Sequence, residues 1–219
     1  MSPQARRSIR PNLTWCVTLL AALLPAARAL GAPDGADIIK RLARPSPASV
    51  AFVEARFSSL LVTPLVVSGT LDYEGAESLN RHVTEPYQET TTIRGEAVRV
   101  ERSGQPPRTF SLHRAPELHG LVTGMTGLLA GNGDLIARHF EATTRGTADD
   151  AWRIDLAPTD GKIQKRLRGI TVTGAGAEPH CFVIRDTQGG ASVMLLGAAA
   201  KTLPPTTTLA DLLGSCAAE

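Results

Sequence analysis

By residue type, five histidines, three cysteines and a scatter of acids could do chemistry in this 219-residue chain, and their spacing decides whether they do. His82, His113, His119, His139 and His180 share no metal-ligand spacing, and Glu117 and His119, two apart, would point to different sides of a helix. No metal site and no cofactor is expected. The phosphate-cradling, serine-nucleophile and zinc-protease patterns are absent, and Gly131-Asn132-Gly133 lacks the third glycine that a dinucleotide turn needs. Asp149-Asp150 reads as a solvated turn rather than a hydrolytic pair. Arg81 is different, because it falls in line with Leu79 and Val83 and so faces the apolar side of its strand. There it either pairs with Glu85 or Glu89 or meets a ligand head group.

The compartment follows from the N-terminus. Arg6, Arg7 and Arg10 precede an apolar run from Trp15 to Leu24 and then Ala27-Arg28-Ala29, the layout of a secretory signal peptide over residues 1–29. Removing it leaves 19 basic against 21 acidic residues, so the mature chain gives no sign of nucleic-acid binding. The short basic run at 162–168 is expected to be the solvated face of a strand. Cys16 departs with the leader, and Cys181 and Cys216 are expected to form a disulfide in an oxidising compartment. Residues 30–219 are expected to make a single domain, since no linker long enough to separate two cores interrupts them. An aromatic content of 4% argues against stacking on sugars or bases as the main activity.

The elements that position these groups come next. Asp34 is placed to cap a short helix carrying Ile38, Ile39 and Leu42, stopped by Pro45 and Pro47. From Val50 the period becomes two: Leu65, Val67, Leu71 and Tyr73 alternate with Ser68, Thr70, Asp72 and Glu74, and the pattern resumes at Leu79 and Val83. Further strands are expected at 87–93, 97–102, 107–113, 151–158, 165–174, 180–186 and 191–197. Between them Pro116 opens, and Gly131 closes, a helix with an apolar stripe. Beside that stripe run Gly120, Gly124 and Gly127, each costing about 1 kcal/mol of helix propensity. This suits a lid over a cavity mouth better than a helix in a sealed core. Asp134 is placed to cap a further turn over 135–140, and Thr208 and Asp211 form a capping box at a terminal helix.

Phe52 and Glu54, the run Ser68-Gly69-Thr70-Leu71-Asp72-Tyr73, then Pro86 and Gly95-Glu96-Ala97-Val98 together resemble the LolA-like family of periplasmic outer-membrane lipoprotein carriers, more weakly through residue 197. The resemblance implies a mainly β (α+β) fold, an unclosed antiparallel barrel of about eleven strands with a helical lid. It implies a monomeric shuttle in the periplasm of a Gram-negative bacterium. The cargo would be a lipoprotein or another acylated lipid, taken from an inner-membrane exporter and given to an outer-membrane acceptor. The ligand-binding wall would draw on Phe52, Val67, Leu71, Leu79, Arg81 and Val83, on Ile93, Val98, Val100 and Phe110, on the stripe Leu118, Leu121, Val122, Met125, Leu128 and Leu129, and on Ile154 and Leu156. One departure stands out: the Arg that often precedes the buried strand in such carriers is replaced by Gly75-Ala76-Glu77-Ser78, leaving Arg81 to substitute in part. The alternatives are a small enzyme using the half-barrel as its active-site cavity, with Arg81, His82 and Glu89 as first suspects, and an accessory of an envelope complex that binds no lipid.

Overall fold

The alternating stretch around Leu71 becomes a strand because each apolar residue there finds the same inner face. The protein is described by a computed structural model covering residues 35–75, 78–202 and 208–217. The expected signal peptide and the expected Asp34 cap lie outside the described residues. A first helix, α1 (Gly35–Arg41), leads into six strands: β1 (Ala48–Phe57), β2 (Leu65–Gly75), β3 (Ser78–Glu85), β4 (Glu89–Arg94), β5 (Ala97–Arg102) and β6 (Arg108–Ser111). Helices α2 (Pro116–Leu129) and α3 (Gly133–Ala137) follow, then β7 (Phe140–Gly146), β8 (Ala151–Pro158), α4 (Gly161–Gln164), β9 (Leu167–Ala175), β10 (Glu178–Asp186), β11 (Ala191–Leu196) and α5 (Leu209–Ala217).

All eleven strands of the described residues form one sheet, in the order β6-β5-β4-β3-β2-β1-β11-β10-β9-β8-β7. Every neighbouring pair is antiparallel. Because β6 and β7 are not paired with each other, the sheet is not closed. Its inner face and α2 share the main core, with Phe52, Leu71, Ile154 and Phe182 among the buried members. The outer face of β10 and β11 is covered separately by Leu212 and Cys216 of α5. Strands β10 and β11 are therefore apolar on both faces, which is why their sequences run nearly continuous rather than alternating. Cys181 and Cys216, 35 positions apart in sequence, are joined by a disulfide, Cα–Cα 5.7 Å. In the chain-entropy view such a loop stabilises the folded state by roughly 4 kcal/mol, and here it pins α5 to the sheet.

Gly69 shows how tightly the sheet specifies its sequence. A Cβ there would lie 1.7 Å from the His82 carbonyl oxygen, so the close approach of β3 to β2 admits only glycine. Four expectations need correction. Strand β7 went unforeseen because only Phe140 of its seven residues is buried, so an edge strand shows no alternation. The cap of α3 is Asn132, whose side chain accepts from Leu135 N, and not Asp134. The basic run at 162–168 is not a strand face: Asp160 caps α4 by accepting from Lys162 N and Ile163 N, and the strand begins only at Leu167. The strand at 107–113 is shortened to β6, beyond which the chain turns into a 3₁₀ segment.

Candidate ligand cavity

Helix α2 has two differently employed faces. Its glycine face seats it: Cβ atoms would come within 2.8 Å of Ile163 at Gly120 and 2.7 Å of Ile136 at Gly127, while at Gly124 they would meet Phe140, Leu156 and Ile170 at 3.4 Å or more. The glycines thus let α2 lie close upon α3, α4 and the β7–β9 half of the sheet. The cost in helix propensity is offset by packing, so the glycines do not by themselves mark a loosely held helix.

The other face looks across to β2–β5 and leaves space. A cavity of about 240 Å³ is walled there by Leu118, Leu121, Val122 and Met125 from α2 and by Leu71, Leu79, Ile93, Val98, Val100 and Phe110 from the strands. A second, of about 190 Å³, lies toward α1 and is bounded by Leu129, Tyr73, Phe182 and Leu196. Leu71, Leu79 and Met125 line both, so these three side chains form the partition between them. Phe52, Val67, Val83, Leu128, Ile154 and Leu156 lie instead in the packed core, none more than 2% exposed, and line neither cavity. They share the inner face with the wall, and periodicity cannot tell wall from core.

The larger cavity has one polar end. Glu54, whose side chain is 5% exposed, accepts two bonds from Arg56 (2.8 and 3.0 Å), one from Arg81 (2.5 Å) and one from Ser192 (2.5 Å). Burial alone would raise its pKa, but the hydrogen bonds and charge of Arg56, aided by Arg81 and Ser192, hold it below the usual carboxylate range. The Arg81 guanidinium also stacks 4.7 Å above the Phe52 ring and stands 4.0 Å from Glu89. Arg81 therefore faces the apolar side as its position in the strand implies, but its principal partner is Glu54, two strands away, not Glu85. A lone strand pattern carries no signal for a cross-strand partner at that distance. Two guanidiniums against two carboxylates leave this end polar but without excess charge. His82, adjacent in sequence, lies on the opposite face, bonded to Asp72 (3.0 Å) and Thr90 (3.2 Å). The suggested trio Arg81, His82 and Glu89 is thus split between two faces by the strand's own alternation.

Sequence reasoning also missed a cluster that folding assembles on the far side of α2. His113 and His119 each place Nε2 3.6 Å from Glu96, and His119 meets the His139 ring edge-on at 5.1 Å. Glu96, His119 and His139 border a more polar space of about 420 Å³ with Arg138, Thr123 and Thr126. His139 Nδ1 is buried without a partner, and burial, reinforced by His119, lowers that imidazole's pKa. Among the described residues no group of three or more His, Cys, Asp or Glu side chains is arranged to hold a metal ion.

An unclosed antiparallel sheet folded around an apolar cavity beneath one helix defines a binding protein of the half-barrel kind. The chain belongs to the family described as outer membrane lipoprotein carrier protein LolA-like, whose model matches residues 26–217. No curated protein matches it. Among solved structures it is similar to a LolA superfamily protein from Nitrosomonas europaea, at 14% identity over 77% of this chain and 92% of that one, with a TM-score of 0.42. It is also similar to LprF from Mycobacterium bovis, at 14% identity over 81% and 99%, TM-score 0.35. A third is a putative outer membrane lipoprotein-sorting protein domain from Vibrio parahaemolyticus, at 7% identity over 82% and 96%, TM-score 0.42. No helix of the described residues is long and apolar enough to cross a membrane.

Proposed function

We propose that this protein is a periplasmic carrier that shields the acyl chain of a lipoprotein or another lipid between α2 and strands β2–β5, and ferries it from an inner-membrane exporter to an outer-membrane acceptor. The observation that carries this reading is the pair of apolar cavities sharing Leu71, Leu79 and Met125 as their partition. Separately each falls below the ~300–1,000 Å³ of a typical ligand site, and swinging the flexible Met125 aside joins them into a space within that range. Each methylene taken from water contributes about 0.8 kcal/mol, so a long acyl chain supplies its own affinity without any catalytic group. The balanced end at Glu54, Arg56, Arg81 and Glu89 suits the neutral ester or amide that begins such a chain better than a free anion.

Fluorescence titration with a palmitoyl probe tests the assignment. Leu121→Asp places a charge in the cavity wall at a half-buried position and should weaken probe binding at least about tenfold, while thermal melting shows a folded protein. Unchanged binding in a folded Leu121→Asp variant would remove this cavity as the acyl site.

A further inference from the structure

Among the described residues, the exposed large hydrophobic side chains all lie in the β1–β2 hairpin. Leu60 is 90% exposed, Leu61 44% and Val62 104%, and Val66 follows at 42%. Leu60, Leu61 and Val62 form the tip of the β1–β2 hairpin and Val66 lies on β2 beside it, within a stretch from Phe57 to Leu71 that contains no charged residue. The tip has a defined shape: Leu61 N donates to Ser58 O (3.0 Å) and Leu60 N to Ser58 Oγ (3.3 Å), a turn that turns these side chains outward. Consecutive apolar side chains held out in water at a convex tip are unfavourable for a freely diffusing protein, since each costs the hydrophobic term that burial would recover.

The chemistry beside the tip identifies what would cover it. Phe57 O lies 3.2 Å from the position of a Cβ on Gly190 in the β10–β11 turn. In that same turn Thr187 donates from Oγ1 to Lys165 O (2.9 Å) and from N to Arg166 O (3.2 Å). The tip is thereby continuous, through one turn, with the segment carrying exposed Lys162, Lys165 and Arg166. Two acids stand nearby: Asp160, which caps α4 and interacts with the charge of Lys162, and Asp186, which accepts from Gln188 N and Gly190 N. One end of the sheet thus presents an apolar point flanked by an excess of basic charge, Lys162, Lys165 and Arg166 against Asp160 and Asp186. That combination matches the interface of an anionic bilayer, where apolar side chains enter the acyl boundary and Lys or Arg meet phosphate.

We infer that this end of the sheet, Leu60-Leu61-Val62 with Lys162, Lys165 and Arg166, is a docking edge for an anionic lipid surface. The polar end of the larger cavity, with half-exposed Arg56 near the end of β1, lies at the same end of the sheet. Docking would bring that polar end toward the membrane, yet the inference stands whether or not an acyl chain occupies the cavity.

Co-sedimentation of the mature protein with vesicles of phosphatidylethanolamine alone, and of phosphatidylethanolamine with phosphatidylglycerol, provides the test. Wild-type protein should sediment with the anionic vesicles and be released by salt. Leu60→Asp/Val62→Asp and Lys165→Glu/Arg166→Glu should each weaken that binding at least about tenfold. Both variants should keep wild-type melting and palmitoyl-probe binding, because the altered side chains are exposed and outside the cavity. Loss of probe binding without loss of vesicle binding would count against the carrier reading alone. Wild-type protein that sediments with neither vesicle, as a protein-docking tip would, overturns the inference. So does a folded tip variant that sediments like wild type, and equal binding to neutral vesicles overturns the role given to the basic residues.

Discussion

Glu54 concentrates the cavity's polar chemistry in one side chain. Its carboxylate holds Arg56, Arg81 and Ser192 together across β1, β3 and β11. A carboxylate whose pKa is lower folded than unfolded contributes stability that is complete above its ordinary value of 4.5 and is lost as the pH falls through the folded value. Glu54→Gln keeps the shape and one acceptor but not the charge. Denaturant melts should therefore show the variant less stable than wild type at neutral pH, by up to about 3–5 kcal/mol if Arg81 is left uncompensated. The gap should close below pH 4.5. A gap constant with pH would mean that the loss is one of packing and not of charge. The sequence placed Arg81 on the inner face, because period two is a local signal. It did not disclose Glu54 as the partner, because that contact depends on strand pairing and register.

Helix α2 is packed on one side and faces the cavity on the other, and we propose it as the wall that moves. Its C-terminal turn is also tied down from outside: Arg44 N donates to Leu129 O (2.8 Å), and the Arg44 side chain reaches Ala177 O (2.6 Å) and Glu178 (2.7 Å) at the rim of the smaller cavity. We propose that this arrangement acts as a latch in place of the basic residue that the chain lacks between β2 and β3. Hydrogen exchange should show α2 opening before the central strands β1, β2 and β10, and Arg44→Ala, which keeps the main-chain bond to Leu129 O but frees that residue from Ala177 and Glu178, should speed exchange at the last turn of α2. Exchange in α2 as slow as in those strands would place it in the permanent core. The glycines separate seating from motion. Gly124→Ala meets only ordinary contacts and should raise stability by up to about 1 kcal/mol through helix propensity, whereas Gly127→Ala drives against Ile136 and should lower it by about 1–3 kcal/mol. Thermal melts of the two variants check the sign of each. From sequence this helix, the capping box at Thr208 and Asp211, and strands β5 and β8 were legible to the residue. Strand β7 and the short α4 were not, since an edge strand and a single turn bury too little to leave a periodic trace.

At the scale of the molecule, one sheet serves as floor and wall while α5, fixed by its disulfide, covers the outer side of β10 and β11. The inner apolar face exceeds what α2 can cover, and the excess is the pair of cavities. That imbalance is why the sequence shows a strict apolar periodicity without a reacting constellation to go with it. The central claim is that this space exists to hold an acyl chain. Native mass spectrometry of the protein, purified without detergent from its own cell envelope, measures that occupancy directly. A population heavier than the polypeptide by the mass of an acylated molecule, and lost in Leu121→Asp, is the expected result; a single mass equal to the mature chain with its disulfide would contradict it.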